Sequence, residues 1–140
     1  MGETTWTARK TSQTVTIGVG TLANDAVVQS TAEINNSSDR DLFAALMLKL
    51  AIIDWSGEDN PAFYVWFLDN IDGTQEDFDS VPARMPDAII PIEAVNAAQN
   101  VIVRDIKIPP ISFDIVVQNK SGQTTGTTTL EIETYGVSTA

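Results

Sequence analysis

Cysteine and histidine are both absent from this chain of 140 residues. Their absence excludes disulfide bonds, thiolate nucleophiles, zinc sites built on Cys or His, and catalytic triads that use imidazole as the base. Any acid–base catalysis would therefore depend on carboxylates alone, and no glycine-rich phosphate loop is present. We predict from these absences that the protein is not an enzyme and carries no cofactor.

Basic residues are scarce as well: eight Lys and Arg stand against 19 Asp and Glu, which gives a formal net charge of -11. A surface this acidic repels phosphate groups, so neither nucleic acid nor an anionic membrane is expected as a partner. Long apolar runs are also missing, because the best candidate, Leu42–Ile53, is too short to cross a bilayer and contains Lys49.

Alternation of apolar and polar residues dominates the chain and predicts β-strands. The segments that show it are Thr14–Val19, Val27–Ile34, Ala62–Asp69, Asn100–Ile108, Ser112–Gln118 and Thr127–Tyr135, with a short strand at Ile89–Ile92. In Asn100–Ile108, strict alternation places Val103 and Asp105 on one face and Ile102 and Ile106 on the other. The segment Leu42–Asp54 fits a helix by composition, but its apolar residues also recur at every second position, and we predict a strand.

The order of these elements favours an all-β protein. About seven or eight strands separated by turns, without a convincing helix, are typical of an antiparallel β-sandwich or jelly roll. Residues 14–136 are predicted to form this single domain. Residues 1–13 are predicted to be an extended N-terminal arm, and residues 137–140 a short C-terminal tail.

The acidic stretch Leu68–Ser80 has the sequence LDNIDGTQEDFDS, and we compared it with the calcium-binding loop of an EF-hand. With Gly73 as the central glycine of an EF-hand loop, the first ligand position falls on Leu68, which cannot coordinate a metal. A looser oxygen cage stays open as an alternative, formed by Asp69, Asp72, Glu76 and Asp77. The simpler interpretation, which we adopt without assigning a metal site, is a strand that ends in an Asp72-Gly73 turn, followed by a solvated loop.

Three segments resemble a family of small tailed-phage virion proteins: FYVWFLDNIDGTQEDFDS, AAQNVIVRDIKIPPISFDIVVQNKSGQ and TLEIETYG. In that family a strand enters a DGT turn, an acidic or serine-rich loop follows, and a later strand ends in PP. A hydrophobic strand with an N-x-(S/T)-G turn then precedes a last strand that ends near Tyr. The matching residues here are Asp72, Gly73, Thr74, Pro109, Pro110, Asn119, Lys120, Ser121, Gly122 and Tyr135.

This resemblance implies a β-sandwich or jelly-roll subunit of the particle and no chemistry. Together with the all-β pattern, the lack of catalytic residues and the acidic surface, it leads us to expect a capsid decoration (cement) protein, made in the host cytoplasm and bound to the major capsid protein on the outer surface of a phage head. A homo-oligomer is expected, with a trimer favoured. The alternatives are a structural protein of the tail or neck, and a carbohydrate-binding host-attachment module that uses Trp55, Trp66 or Tyr64 as its platform. The residues expected at the partner interface are Trp6, Arg9, Lys10, Trp55 and Pro86.

Overall fold

The computed structural model describes residues 4–6, 15–31, 33–78 and 80–139. All regular secondary structure in these ranges is β-strand, so they contain no helix that could span a membrane. The strands are β1 (Thr4–Trp6), β2 (Val15–Gly18), β3 (Val27–Gln29), β4 (Phe43–Asp54), β5 (Ala62–Ile71), β6 (Thr74–Gln75), β7 (Ala88–Pro91), β8 (Asn96–Lys107), β9 (Phe113–Lys120), β10 (Thr128–Tyr135) and β11 (Val137–Thr139). The predicted all-β class is confirmed.

Two antiparallel sheets enclose the core. One sheet has the order β2-β10-β4-β8; the other has the order β3-β9-β5, with β6 and β7 also paired to β5. Along the chain the strands form four nested pairs: β2 with β10, β3 with β9, β4 with β8, and β5 with β7. This nesting is the strand order of a jelly roll, in which a long folded hairpin is rolled into two facing sheets.

Burial between the two sheets explains why the helix-favouring segment forms β4. Leu46, Leu48 and Leu50 lie on its inner face and are buried, whereas Met47 and Lys49 are only half-buried on its outer face. Burying the apolar set at every second position outweighs the helical propensity of the individual residues. The predicted strand over Leu42–Asp54 is therefore confirmed.

A β-bulge in β8 overturns the strict alternation expected there. The pairing of β4 with β8 shifts register next to Asp105, which has a φ of 56°. The extra residue returns Ile106 to the inner face, where it packs against the core together with Val103. The Tyr135 hydroxyl holds the bulge, because it accepts a hydrogen bond from the Asp105 N–H at 2.8 Å and donates one to the Asp105 carboxylate.

Two turns bear out the local sequence signals. Asp72 and Gly73 have φ values of 52° and 75° and join β5 to β6, as the Asp-Gly pair predicts for a tight hairpin. Near the end of β9, just before the turn, Asn119 is fully buried and donates to the carbonyls of Leu22 at 2.8 Å and Gln123 at 2.7 Å. Asn119 thus joins two loops at one end of the sandwich.

The two ends of the chain meet. β1 pairs antiparallel with β11, and Thr5 lies opposite Ser138. β11 follows β10 after Gly136 alone, so this two-stranded ribbon begins where β10 leaves its sheet. Sequence alternation did not indicate either short strand, and the boundaries of the arm at 1–13 and of the tail at 137–140 stay predictions.

Candidate interaction surfaces

The residues expected at a partner interface lie in different environments. Trp55 is fully buried in the core, so its ring offers no exposed surface, and the partner interface expected at its loop stays a prediction. Pro86 is half-buried just before β7. Trp6 lies in β1 with its backbone opposite Val137, while Arg9 and Lys10 fall outside the described residues.

A second apolar cluster lies on the outer face of the β3-β9-β5 sheet. Successive residues of β5 point to opposite faces, so Phe67 joins the main core while Trp66 and Leu68 point away from it. The chain between β6 and β7, residues 76–78 and 80–87, here called the covering segment, packs Phe78 and Val81 against this outer cluster. Only 3% of Trp66 remains exposed.

The covering segment corrects the interpretation of the acidic stretch. A wholly solvated loop was expected after the Asp72-Gly73 turn, yet its apolar side chains are anchored on the sheet. Asp72 and Asp77 are exposed as expected, because the carboxylates point away from the apolar contacts. The apolar residues within the stretch, not its acids, determine where the segment lies.

Arg84 fastens the covering segment to β5. Its guanidinium donates to both carboxylate oxygens of Glu76 at 3.0 Å, to Asp87 at 2.7 Å and to the carbonyl of Phe67 at 2.5 Å. The Arg84 carbonyl in turn accepts a hydrogen bond from the Trp66 indole N–H at 3.0 Å. The hydrogen bond to Glu76 is the main reason why the pKa of Arg84 is raised above its ordinary value, although partial burial opposes it.

A groove of about 580 Å³ separates the covering segment from the connection between β8 and β9. Apolar side chains of Phe67 and Ile108 and the prolines Pro109 and Pro110 form part of its wall. Asp69 faces the same groove. Burial raises the pKa of Asp69 above its ordinary value, Arg84 opposes the rise, and Glu76 and Asp87 add to it.

The oxygen cage considered for calcium receives no support from the described residues. Among them, no group of three or more Asp, Glu, His or Cys side chains could hold a metal ion. Glu76, one of the proposed ligands, is instead occupied by the Arg84 guanidinium. The closing ligand position of an EF-hand loop centred on Gly73 would fall on Asp79, which lies outside the described residues.

The outer face of the β2-β10-β4-β8 sheet is open and of mixed character. A depression between β4, β8 and β10 is lined by Ala45, Met47, Ile102, Glu131 and Glu133, among others. Half of Ile102 is exposed there, and Lys49 pairs with Glu131 at 2.9 Å. This face presents apolar side chains next to carboxylates.

Sequence comparison neither adds to this geometry nor contradicts it. The chain matches no protein-family model and no curated protein.

Proposed function

We propose that this protein is a capsid decoration protein that binds the outer surface of a tailed-phage head, contacts the major capsid protein and stabilises the shell as an oligomer, with a trimer favoured. The jelly-roll order of the two sheets supports the proposal, because such a sandwich buries its own core and leaves surface for assembly, here the open outer face of the β2-β10-β4-β8 sheet. The resemblance of the segments from Leu42 to Gly136 to small virion proteins points in the same direction.

The ribbon of β1 and β11 is the observation that carries the proposal. Each strand has three residues, and the ribbon lies outside the two sheets of the sandwich. Two-stranded ribbons alone have little stability in water. A neighbouring shell surface that adds a strand to either edge would stabilise the ribbon and hold the subunit in place.

Avidity allows a weak contact of this kind to hold the protein on the shell. A decoration protein is present at many equivalent positions, and an oligomer engages several of them at once. The acidic surface, with a net charge of -11, keeps the free protein soluble at high local concentration.

The burial of the tryptophans disfavours the carbohydrate-binding alternative. Trp55 is fully buried and Trp66 is 3% exposed, so neither ring can stack on a sugar unless the structure opens. Tyr64 is half-buried against the edge of Trp66, with ring centroids 6.2 Å apart. These three aromatic side chains therefore do not form the flat exposed surface that such a module uses.

Copy number per particle tests the proposal directly. Quantitative mass spectrometry of purified particles should give a ratio of this chain to the major capsid protein of order one or a simple fraction of it. A handful of copies per particle would instead assign the protein to the tail or neck. Absence from the particle would overturn the virion assignment.

A pair of matched variants tests the ribbon. Thr5→Pro removes a backbone N–H and disrupts the pairing opposite Ser138, whereas Thr5→Ala keeps that N–H. We expect Thr5→Pro to weaken binding to undecorated shells while the denaturant midpoint of the sandwich stays unchanged, and Thr5→Ala to bind as the wild type does. Equal binding of the two variants would show that the ribbon is not the attachment site.

A further inference from the structure

β8 is a long open edge. It is the terminal strand of its sheet, and within the described part of the chain it pairs only with β4. It has 12 residues, none of which is fully buried, while the edge strand on the other side of the sheet, β2, has four. Unpaired N–H and C=O groups along such an edge are a template for another strand.

The first part of this edge lacks the usual protection against pairing. Natural edge strands carry charges, prolines or bulges that block edge-to-edge contact. Residues 96–103, with the sequence NAAQNVIV, contain no charged residue and no proline, in a chain with 27 charged residues (8 basic plus 19 acidic). The protective features of β8 itself, Arg104 and the bulge at Asp105, lie beyond this stretch. A second register shift falls opposite Ala98, but its extra residue lies on β4, between Leu50 and Ile53.

The core is also incompletely covered beside this edge. Val101 and Val103 face inward and pack against the core, yet both remain partly exposed. On the outer face, Ile102 is 50% exposed. A groove of about 410 Å³ runs beside Ala98–Ile102 and is closed on its far side by Pro91 and Glu93. A strand added here would bury apolar surface on both faces of the sheet.

The charge of the chain indicates that a strand from a second copy fits this edge. Two copies of a chain with a net charge of -11 repel each other over most of their surfaces, and they can approach closely only where charge is absent. Residues 96–103 provide such a place. A basic partner would instead be attracted to carboxylates. None lies on residues 96–103 themselves, although Glu93 lines the groove beside them and Glu131 and Glu133 line the depression next to Ile102.

The sequence of this edge is compatible with pairing to the same edge of a second copy. In an antiparallel arrangement with a two-fold axis at Asn100, Ala98 lies opposite Ile102 of the second copy, and Gln99 lies opposite Val101. Arg104 then lies opposite Asn96 of the second copy, so no like charges face each other.

We propose that residues 97–103 of β8 pair antiparallel with the same residues of a second copy of this chain, about a two-fold axis at Asn100, and join the two four-stranded sheets into one. The contact is separate from the β1–β11 ribbon and from the shell. A two-fold dimer is not the trimer favoured above, so this contact can fail while a trimer forms through another surface, and it can hold while the proposed function fails.

Disulfide trapping tests the register, and the absence of native cysteine makes it unambiguous. In this arrangement the two Asn100 Cα atoms lie about 5 Å apart, within the range of a disulfide. Asn100→Cys should cross-link under mild oxidation, and a mixture of Ala98→Cys and Ile102→Cys chains should give the heterodimer. Thr16→Cys, exposed on the opposite edge strand, is the matched control and should stay uncross-linked.

Sedimentation of the purified full chain tests the affinity without any particle present. We expect a concentration-dependent monomer–dimer equilibrium whose dissociation constant rises about tenfold in Asn100→Lys, because two ammonium groups then meet at the axis. Thr16→Lys should leave the constant unchanged. A wild-type chain that stays monomeric, an oligomer that Asn100→Lys does not weaken, or equal cross-linking of Asn100→Cys and Thr16→Cys would each overturn the proposal.

Discussion

Replacing Arg84 by methionine is expected to loosen the covering segment while the sandwich stays folded. Methionine keeps much of the apolar stem but removes every hydrogen bond of the guanidinium. Those hydrogen bonds join Arg84 to Glu76, to Asp87 and to the carbonyl of Phe67. Because Phe78 and Val81 still pack on the outer cluster, the segment should open more often without detaching permanently.

The size of the change in the free energy of local opening follows from how exposed each of these interactions is to solvent. The Arg84 side chain is 37% exposed, so its ion pairs with Glu76 and Asp87 are screened by solvent and contribute about 0.5 kcal/mol each. The partly buried hydrogen bond to the Phe67 carbonyl contributes about 1.5 kcal/mol. The free energy of local opening should fall by about 2.5 kcal/mol, which corresponds to roughly a 60-fold increase in the open population.

Hydrogen exchange of the Trp66 indole N–H reports on this opening, because the group donates to the Arg84 carbonyl beneath the covering segment. The indole signal should exchange roughly 60-fold faster in Arg84→Met. Lys49→Met, which removes the ion pair with Glu131 on the other sheet, is the matched control and should leave the Trp66 rate unchanged. The Trp55 indole, buried in the main core, should respond to neither substitution.

Equal exchange of the Trp66 indole in Arg84→Met and Lys49→Met would refute this reasoning. It would mean that the apolar contacts of Phe78 and Val81 alone hold the covering segment. A cooperative loss of the whole fold in Arg84→Met would refute it in the other direction, since the segment would then be part of the main folding unit.

Three further expectations concern stability. Burial raises the pKa of Asp69, so the native state binds the Asp69 proton more tightly than the unfolded chain does. The free energy of unfolding therefore falls as pH rises above the ordinary pKa of 3.8, because Asp69 then ionises. Asp69→Asn should therefore raise the denaturant midpoint at pH 7 but not below pH 3.8, and a gain that persists in acid would contradict this cause. Gly122→Ala should lower the free energy of unfolding by more than the roughly 1 kcal/mol expected for Gly73→Ala. Both glycines have positive φ, but at Gly122 a Cβ would also displace the Glu58 carboxylate, which accepts a hydrogen bond from Gln123. Tyr135→Phe should lower the free energy of unfolding in urea by about 1–2 kcal/mol, because the buried hydroxyl bonds both the N–H and the carboxylate of Asp105 in the bulge. An unchanged urea midpoint would show that the bulge does not need the hydroxyl.

Local patterns in the sequence were sufficient for the class of fold. Alternation in Ala62–Asp69 and Thr127–Tyr135 predicts strands because residues at every second position share one face, whatever the strand pairs with. The Asp72-Gly73 turn was predictable for a similar reason, since only residues tolerant of positive φ suit a tight hairpin. The bulge was also detectable in the sequence. Val103 and Ile106 are both apolar but three positions apart, so strict alternation cannot place both on the inner face.

The interaction surfaces were less predictable, as the tryptophans show. Trp55 follows a strand in a polar loop, and its burial depends on packing against residues distant in sequence. Trp66 alternates with core residues and should face solvent, but the covering segment folds back over it. Neither environment is visible in the neighbouring residues, so both were open to assignment as binding platforms.

What the sequence determined by itself is the set of strands, the main turns and the acidic, cysteine-free surface, because each depends on residues within one short segment or on composition alone. The tertiary structure decided which strands pair, which apolar face is covered, that β1 meets β11, and that β8 is left with an open edge. These features follow from contacts between distant segments, and every strand carries backbone groups able to pair with any other. Only the folded arrangement selects among those pairings, and the surfaces available to partners are what that selection leaves exposed.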